Sequence, residues 1–163
     1  MAGPSDRETG HLLMQSEVRV TVTGSPDKLV LLPTATEHVP MGMHDELAAF
    51  YDAQPDQYTP HPSTLDHVIG AVTACLAGTL KRALAARGVT PDPSAFEVRG
   101  VGEIVVNGDV PVIRSVRVYY TLSGTSPEQR ETIERAHRVH HRACAVSRSL
   151  ETAIDIRTTL TLV

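Results

Sequence analysis

Ser63-Thr64-Leu65-Asp66-His67-Val68-Ile69-Gly70-Ala71-Val72-Thr73-Ala74-Cys75-Leu76-Ala77-Gly78-Thr79-Leu80 is the stretch on which the fold turns. Its apolar residues, continued by Ala83 and Leu84, recur at spacings of three and four, the period of one helical face. Ser63 with Asp66 three residues on has the form of an N-terminal cap. Lys81, Arg82 and Arg87 suit the negative end of a helix dipole, and Gly88 suits a helix stop. The pattern predicts a helix over 63–87. Its other side carries Gly70, Ala71, Ala74, Ala77 and Gly78, which would let another element approach closely. The helix is therefore expected to be central and buried nearly all round.

Working outward, residues 95–106 and 110–122 read as long strands joined at Asn107-Gly108-Asp109, the strongest short hairpin signal. Ser126, Pro127 and Gln129 open a second helix that is expected to run to about Arg142. A short helical turn over 143–150 and a closing strand over 152–163 follow. On the other side, Val18, Val20 and Val22 alternate with polar residues, which predicts a half-buried strand over 17–23. The turn Gly24-Ser25-Pro26-Asp27 joins it to a strand over 28–32. Five prolines punctuate residues 33–62, where a short helix over 44–51 is expected. Residues 1–14 read as a flexible lead-in and 15–163 as one domain. The order is β-β-α-β-β-α-β without βαβ alternation, which is an α+β pattern.

Composition narrows the function classes. A chain of 163 residues is long enough to bury a core without a disulfide framework. With aromatics at 4%, that core must be built from Val, Leu, Ile and Ala. Fifteen Lys and Arg against 19 Asp and Glu leave a net charge of −4, which argues against a nucleic-acid partner. No uninterrupted apolar run approaches the roughly 20 residues of a membrane span. The stretch from Met1 to His11 is polar and lacks the apolar region of a secretory signal. A cytoplasmic location is expected, with both cysteines reduced by default.

Those cysteines are where chemistry would reside. Cys75 lies mid-helix on the apolar side, either as a small buried hydrophobe or as a reactive thiol. Cys144 follows the second helix, between Arg142 and Arg148, where cations and free amide N–H groups would favour a thiolate. It too reads either way. If the two helices pack together, the sulfurs could meet. His137, His141 and Cys144 fall at i, i+4 and i+7. On a continuous helix that spacing could hold a soft metal, tune a thiolate, or form only a solvated basic end.

Two segments resemble the OsmC/Ohr family. Residues 63–80 resemble its central helix with the first cysteine at Cys75, and Ala136-His137-Arg138-Val139-His140-His141-Arg142-Ala143-Cys144-Ala145-Val146-Ser147-Arg148-Ser149-Leu150 resembles its second-cysteine segment. The order of elements agrees over about 17–163. The resemblance implies an antiparallel sheet wrapped around two central helices in an intertwined homodimer. It implies a thiol-dependent peroxidase for organic hydroperoxides, reset by a dithiol reductant; no cofactor, metal, nucleic acid or membrane is expected. Cys75 would be the peroxidatic and Cys144 the resolving cysteine, the pair closing into a disulfide. The family's peroxidases usually carry Glu ten positions before the first cysteine and an Arg near the N-terminal hairpin. Here Leu65 takes the first place, with Asp66 beside it, and Arg19 is the nearest arginine to the second. Asp66, Arg19, His141 and Arg148 are therefore the candidate supporting residues. The alternative implied is a non-peroxidase member of the fold that binds or modifies a small apolar ligand at the dimer interface.

Overall fold

The computed structural model describes residues 11–24 and 28–163. Along them run β1 (Arg19–Val22), β2 (Lys28–Leu31), β3 (Val39–Met41), α1 (Asp45–Phe50), α2 (Thr64–Ala85), β4 (Phe96–Asn107), β5 (Val110–Leu122), α3 (Pro127–His140), α4 (Ala145–Leu150) and β6 (Asp155–Leu162). The chain divides into two compact units between Ser63 and Thr64. Helix and sheet together give the α+β class expected.

In the first unit β1, β2 and β3 form an antiparallel sheet in that order. The expected hairpin is present, with Arg19 opposite Leu31 and Val22 opposite Lys28. Its turn residues 25–27, like residues 1–10 of the expected lead-in, lie outside the described residues. The strand β3 falls within the proline-rich stretch, where the sequence pattern carries no strand signal. Pro40 is tolerated there because β3 is an edge strand, where a missing N–H costs no ladder bond. The expected half-burial of β1 does not hold, since Val20 and Val22 are 55% and 72% exposed. Alternation shapes a strand with an apolar face, but burial needs a second layer over it.

The second unit is organised by α2. Val72, Leu76, Leu80 and Leu84 recur every fourth residue and are fully buried. They pack with Val116, Val118, Tyr120, Leu122 and Ile133. The helix stops as its sequence predicts: Gly88 has φ 74°, and the Val89 amide bonds the Leu84 carbonyl at 3.1 Å. Arg87 Nη1 donates to the Ala83 carbonyl at 2.8 Å.

Close approach to α2 is provided by the sheet rather than by the helix's small residues. A Cβ on Gly100 would collide with Thr73, and one on Gly102 with Ile69. Gly70 and Gly78 face open space, and Ala71 and Ala74 are exposed with them. The expected all-round burial of α2 is therefore not met within one chain. By length and composition alone α2 could cross a membrane. Its buried leucine stripe against β5 and α3 makes it the core helix of this unit.

The second sheet has the order β4-β5-β6. Its first pair is the expected hairpin, with Asn107 opposite Val110, Gly108 at φ 62°, and a bulge at Glu103/Ile104. The second pair corrects the antiparallel expectation, because β5 and β6 run parallel from Ser115–Asp155 to Leu122–Leu162. Between them the chain travels back through α3 and α4, and such a crossover returns a strand in the same direction. The sheet is mixed, and β5-α3-α4-β6 is a crossover unit that the order of elements concealed.

The second helix opens as expected, with the Ser126 amide donating to Gln129 Oε1 at 3.2 Å. It ends at His140 rather than Arg142. A tight turn over His141–Ala143 follows, and Cys144 is extended at φ −83°, ψ 111° before α4 begins.

Candidate functional site

That break in the helix decides where Cys144 goes. The i, i+4, i+7 projection of His137, His141 and Cys144 holds only on a continuous helix, and the extended Cys144 backbone ends it. His141 is left exposed, whereas Cys144 turns inward and is 0% exposed. Among the described residues no three histidines, cysteines or carboxylates gather closely enough to hold a metal ion.

Cys75 is half-buried in the middle of α2, beside the leucine stripe. Since α2 packs against α4, the Cys75 thiol faces the Cys144 sulfur within hydrogen-bonding reach. Both are free thiols. Thr79, one turn beyond Cys75, donates its hydroxyl to the Cys75 carbonyl at 2.7 Å. Ser147 stands three residues after Cys144, the place from which an amide points back at a helix cap. The Ser147 side chain is buried, and the Cys144 sulfur lies beside its hydroxyl.

Burial pushes the Cys144 thiol up. The Ser147 hydroxyl and amide, the Cys75 thiol and the Thr79 hydroxyl together outweigh it, and the thiol lies below its ordinary value. Thr79 contributes least, and since its one proton goes to the Cys75 carbonyl, the donors that reach the sulfur are those of Ser147 and Cys75. Each donor favours the anionic sulfur.

Beneath the pair lies a buried polar chain. Tyr120 OH bonds His140 Nε2 at 2.9 Å, and His140 Nδ1 bonds the His137 carbonyl at 2.7 Å. A carbonyl only accepts, so Nδ1 carries the proton and Nε2 receives the tyrosine hydrogen. His140 is 2% exposed. Burial, with smaller effects of opposite sign from the His137 carbonyl and from neighbouring imidazoles, brings it down to about 4. Burial and the nearby Cys144 hold the Tyr120 phenol well above its usual range. Both groups are neutral near pH 7. The His137 and His140 rings stack with centroids 5.3 Å apart.

The other candidate residues of the second unit are not gathered to the sulfurs. Arg148 is exposed and pairs with Glu151 at 3.4 Å. Asp66 lies on the first turn of α2, nine residues and so roughly 13 Å of helix rise from Cys75. Arg19 belongs to the first unit, exposed and paired with Glu17 at 3.0 Å. Leu65 lines an open, mainly apolar trough with Val105, Val106, Pro111, Val112 and Ile113. That trough sits toward the start of α2, not beside Cys75. Sequence reasoning missed Thr79, Ser147, Tyr120 and His140. The offsets Cys75+4 and Cys144+3 were visible signals for the first two, whereas the Tyr120–His140 bond spans β5 and α3.

The structure thus defines an α+β protein with two facing thiols at a helix–helix contact. The family model described as OsmC-like protein matches residues 55–159, and the chain belongs to that family. An OsmC-like protein from Vibrio cholerae superimposes with TM-score 0.71 at 13% identity, covering 91% of this chain and 100% of that one. An organic hydroperoxide resistance protein from Elizabethkingia anophelis gives 0.66 at 13%, covering 93% and 99%. The organic hydroperoxide resistance protein OhrB of Bacillus subtilis gives 0.61 at 14%, covering 92% and 100%. At these identities the likeness is one of fold. A search of the curated proteins returns no match.

Proposed function

We propose that the protein is a thiol-dependent peroxidase that reduces organic hydroperoxides through Cys75 and Cys144. One observation carries the reading: two free thiols face each other, the outer one half-exposed and the inner one fully buried. The accessible sulfur, Cys75, meets the peroxide. Its thiolate attacks the distal oxygen, the O–O bond breaks, an alcohol leaves, and the sulfur becomes a sulfenic acid. Cys144 then attacks that sulfur, releasing water and closing a disulfide, which a dithiol reductant reopens by exchange. Family membership supports the reading, as do fold relatives whose names refer to organic hydroperoxide resistance.

In this reading residues 15–163 act as one domain in a cytoplasmic homodimer. The exposed Val20 and Val22 of β1 and the open small-residue side of α2 are surfaces that a second chain would cover. The test is mass spectrometry after one equivalent of an organic hydroperoxide. An intramolecular Cys75–Cys144 disulfide is expected, and no consumption beyond that of Cys75→Ser refutes the reading.

A second reading is favoured by the apolar trough at Leu65, which lies away from the sulfurs. There the protein binds a small apolar ligand and is not a peroxidase. A ligand-induced rise in melting temperature, lost in Leu65→Arg and without peroxide turnover, would support it. No shift with any apolar ligand counts against it.

A further inference from the structure

We infer that His140 is the positioning residue of the thiol pair: by bonding Tyr120 and the His137 carbonyl at once, it ends α3 and holds Cys144 against Cys75. The inference rests on the peroxidase reading and concerns its second step, the closing of the disulfide.

No glycine or proline stands between Gln129 and Arg148, so no helix breaker accounts for the end of α3 at His140. A side chain makes the stop. His140 Nδ1 donates to the His137 carbonyl at 2.7 Å. A helix continued through His141 would use that carbonyl for the His141 amide, which is directed to Val139 instead. The tight turn over His141–Ala143 follows, and Cys144 is extended at its end.

A stop alone does not aim a sulfur. Tyr120 ties the same imidazole to the sheet. Its hydroxyl donates to Nε2 at 2.9 Å, and its ring meets the His137 and His140 rings edge-on at 5.6 and 5.4 Å. Tyr120 and His140 are 1% and 2% exposed, so the bond between them is shielded from water. From His140 the hold passes along the backbone. The His141 carbonyl accepts the Cys144 amide at 3.1 Å, and the Cys144 carbonyl accepts the Arg148 amide at 2.9 Å. Cys75 is held to the same sheet, because α2 closes on β4 where Thr73 and Ile69 meet Gly100 and Gly102. β4 is in turn paired with β5, the strand of Tyr120. Both cysteines belong to one packed cluster. Their separation is thus set through the sheet, by close packing on the side of Cys75 and by the His140 bonds on the side of Cys144.

Separation matters in the step that joins the sulfurs. The Cys144 sulfur forms an S–S bond with the Cys75 sulfenic acid as its S–O bond breaks. The departing hydroxide takes the Cys144 proton and leaves as water. Holding two reactants together speeds such a step, whereas the attack of Cys75 on a peroxide does not need Cys144 in place.

Three variants of the full chain are compared with wild type. His140→Leu fills the site and makes neither bond. Tyr120→Phe removes only the tie to β5. Ile133→Val trims a buried residue of the same helix and controls for lost stability. Rapid mixing with cumene hydroperoxide follows Cys75 sulfenic acid, trapped by dimedone, and the disulfide that replaces it. His140→Leu and Tyr120→Phe are expected to form sulfenic acid at the wild-type rate and to close the disulfide about tenfold more slowly, the weight of one buried hydrogen bond. Equilibration with reduced and oxidised dithiothreitol needs no peroxide, since the reagent's thiols are oxidised as the protein disulfide is reduced. It should shift about tenfold toward the protein dithiol in both variants. Ile133→Val should lower the melting temperature and leave both readouts at wild-type values. A merely structural bond would behave like Ile133. Closure and equilibrium within about twofold of wild type in Tyr120→Phe would therefore overturn the proposal, as would an equal shift in Ile133→Val. Should His140→Leu fail to fold, Tyr120→Phe decides alone. If wild type forms no sulfenic acid, the peroxidase reading falls, and the dithiothreitol equilibrium still decides the role of His140.

Discussion

Acidification should weaken this fold through His140. The imidazole is neutral in the folded chain, with Nδ1 donating to the His137 carbonyl and Nε2 accepting from Tyr120. Protonation would remove the acceptor that receives the Tyr120 hydrogen and charge a site that is 2% exposed. Burial is the chief cause of its depression from 6.5 to about 4. Between those values the unfolded chain binds the proton and the folded chain does not, so stability rises with pH. The contribution is complete above 6.5 and is lost as pH falls toward about 4. At about 1.4 kcal/mol per pH unit the full span is at most about 3 kcal/mol, and about 2 kcal/mol of it is gone by pH ~5. His137, lowered by burial and then by His141 and Arg138, acts in the same direction. Urea unfolding at pH ~7.5 and ~5, at one protein concentration, reads the loss in wild type and in His140→Asn. Asparagine keeps a donor near the His137 carbonyl but does not titrate, so the variant should start less stable and lose markedly less on acidification. Equal losses in the two proteins would refute the reasoning.

Three further perturbations test other parts of the structure. Tyr120→Phe leaves His140 Nε2 buried without its donor and should cost about 1–3 kcal/mol by urea unfolding. Gly100→Ala drives a methyl into Thr73, whose hydroxyl is held by the Ile69 carbonyl at 2.8 Å. A loss of about 1–3 kcal/mol is expected, and adding Thr73→Ala should restore much of it, with positive coupling in the double-mutant cycle. Ser147→Ala removes a hydroxyl that favours the Cys144 thiolate, so the rise in thiolate absorbance at 240 nm should begin at higher pH than in wild type.

The helix over 64–85, its glycine stop, the Asn107-Gly108 hairpin and the α+β class were legible in the sequence because each rests on local chemistry. Period, cap and turn residues act over a few positions and leave their mark there. The same chemistry separated the cysteines onto two helical segments and carried the family resemblance that their flanking residues support. Parallel pairing of β5 with β6 was not legible, because strand direction is set by how a long crossover packs back on the sheet. Nor was the side from which α2 is approached. Gly100 and Gly102 lie on a different element from the small side chains that drew attention, and only packing shows which set meets a neighbour. The meeting of the sulfurs followed the same rule. The end of α3 at His140 and the extended backbone at Cys144 turn that thiol inward, toward Cys75 and away from the histidines whose spacing had suggested a ligand set. Sequence by itself determined which groups could react, since reactivity belongs to side-chain chemistry. Tertiary structure decided which of them come together, since that depends on distances between elements far apart along the chain.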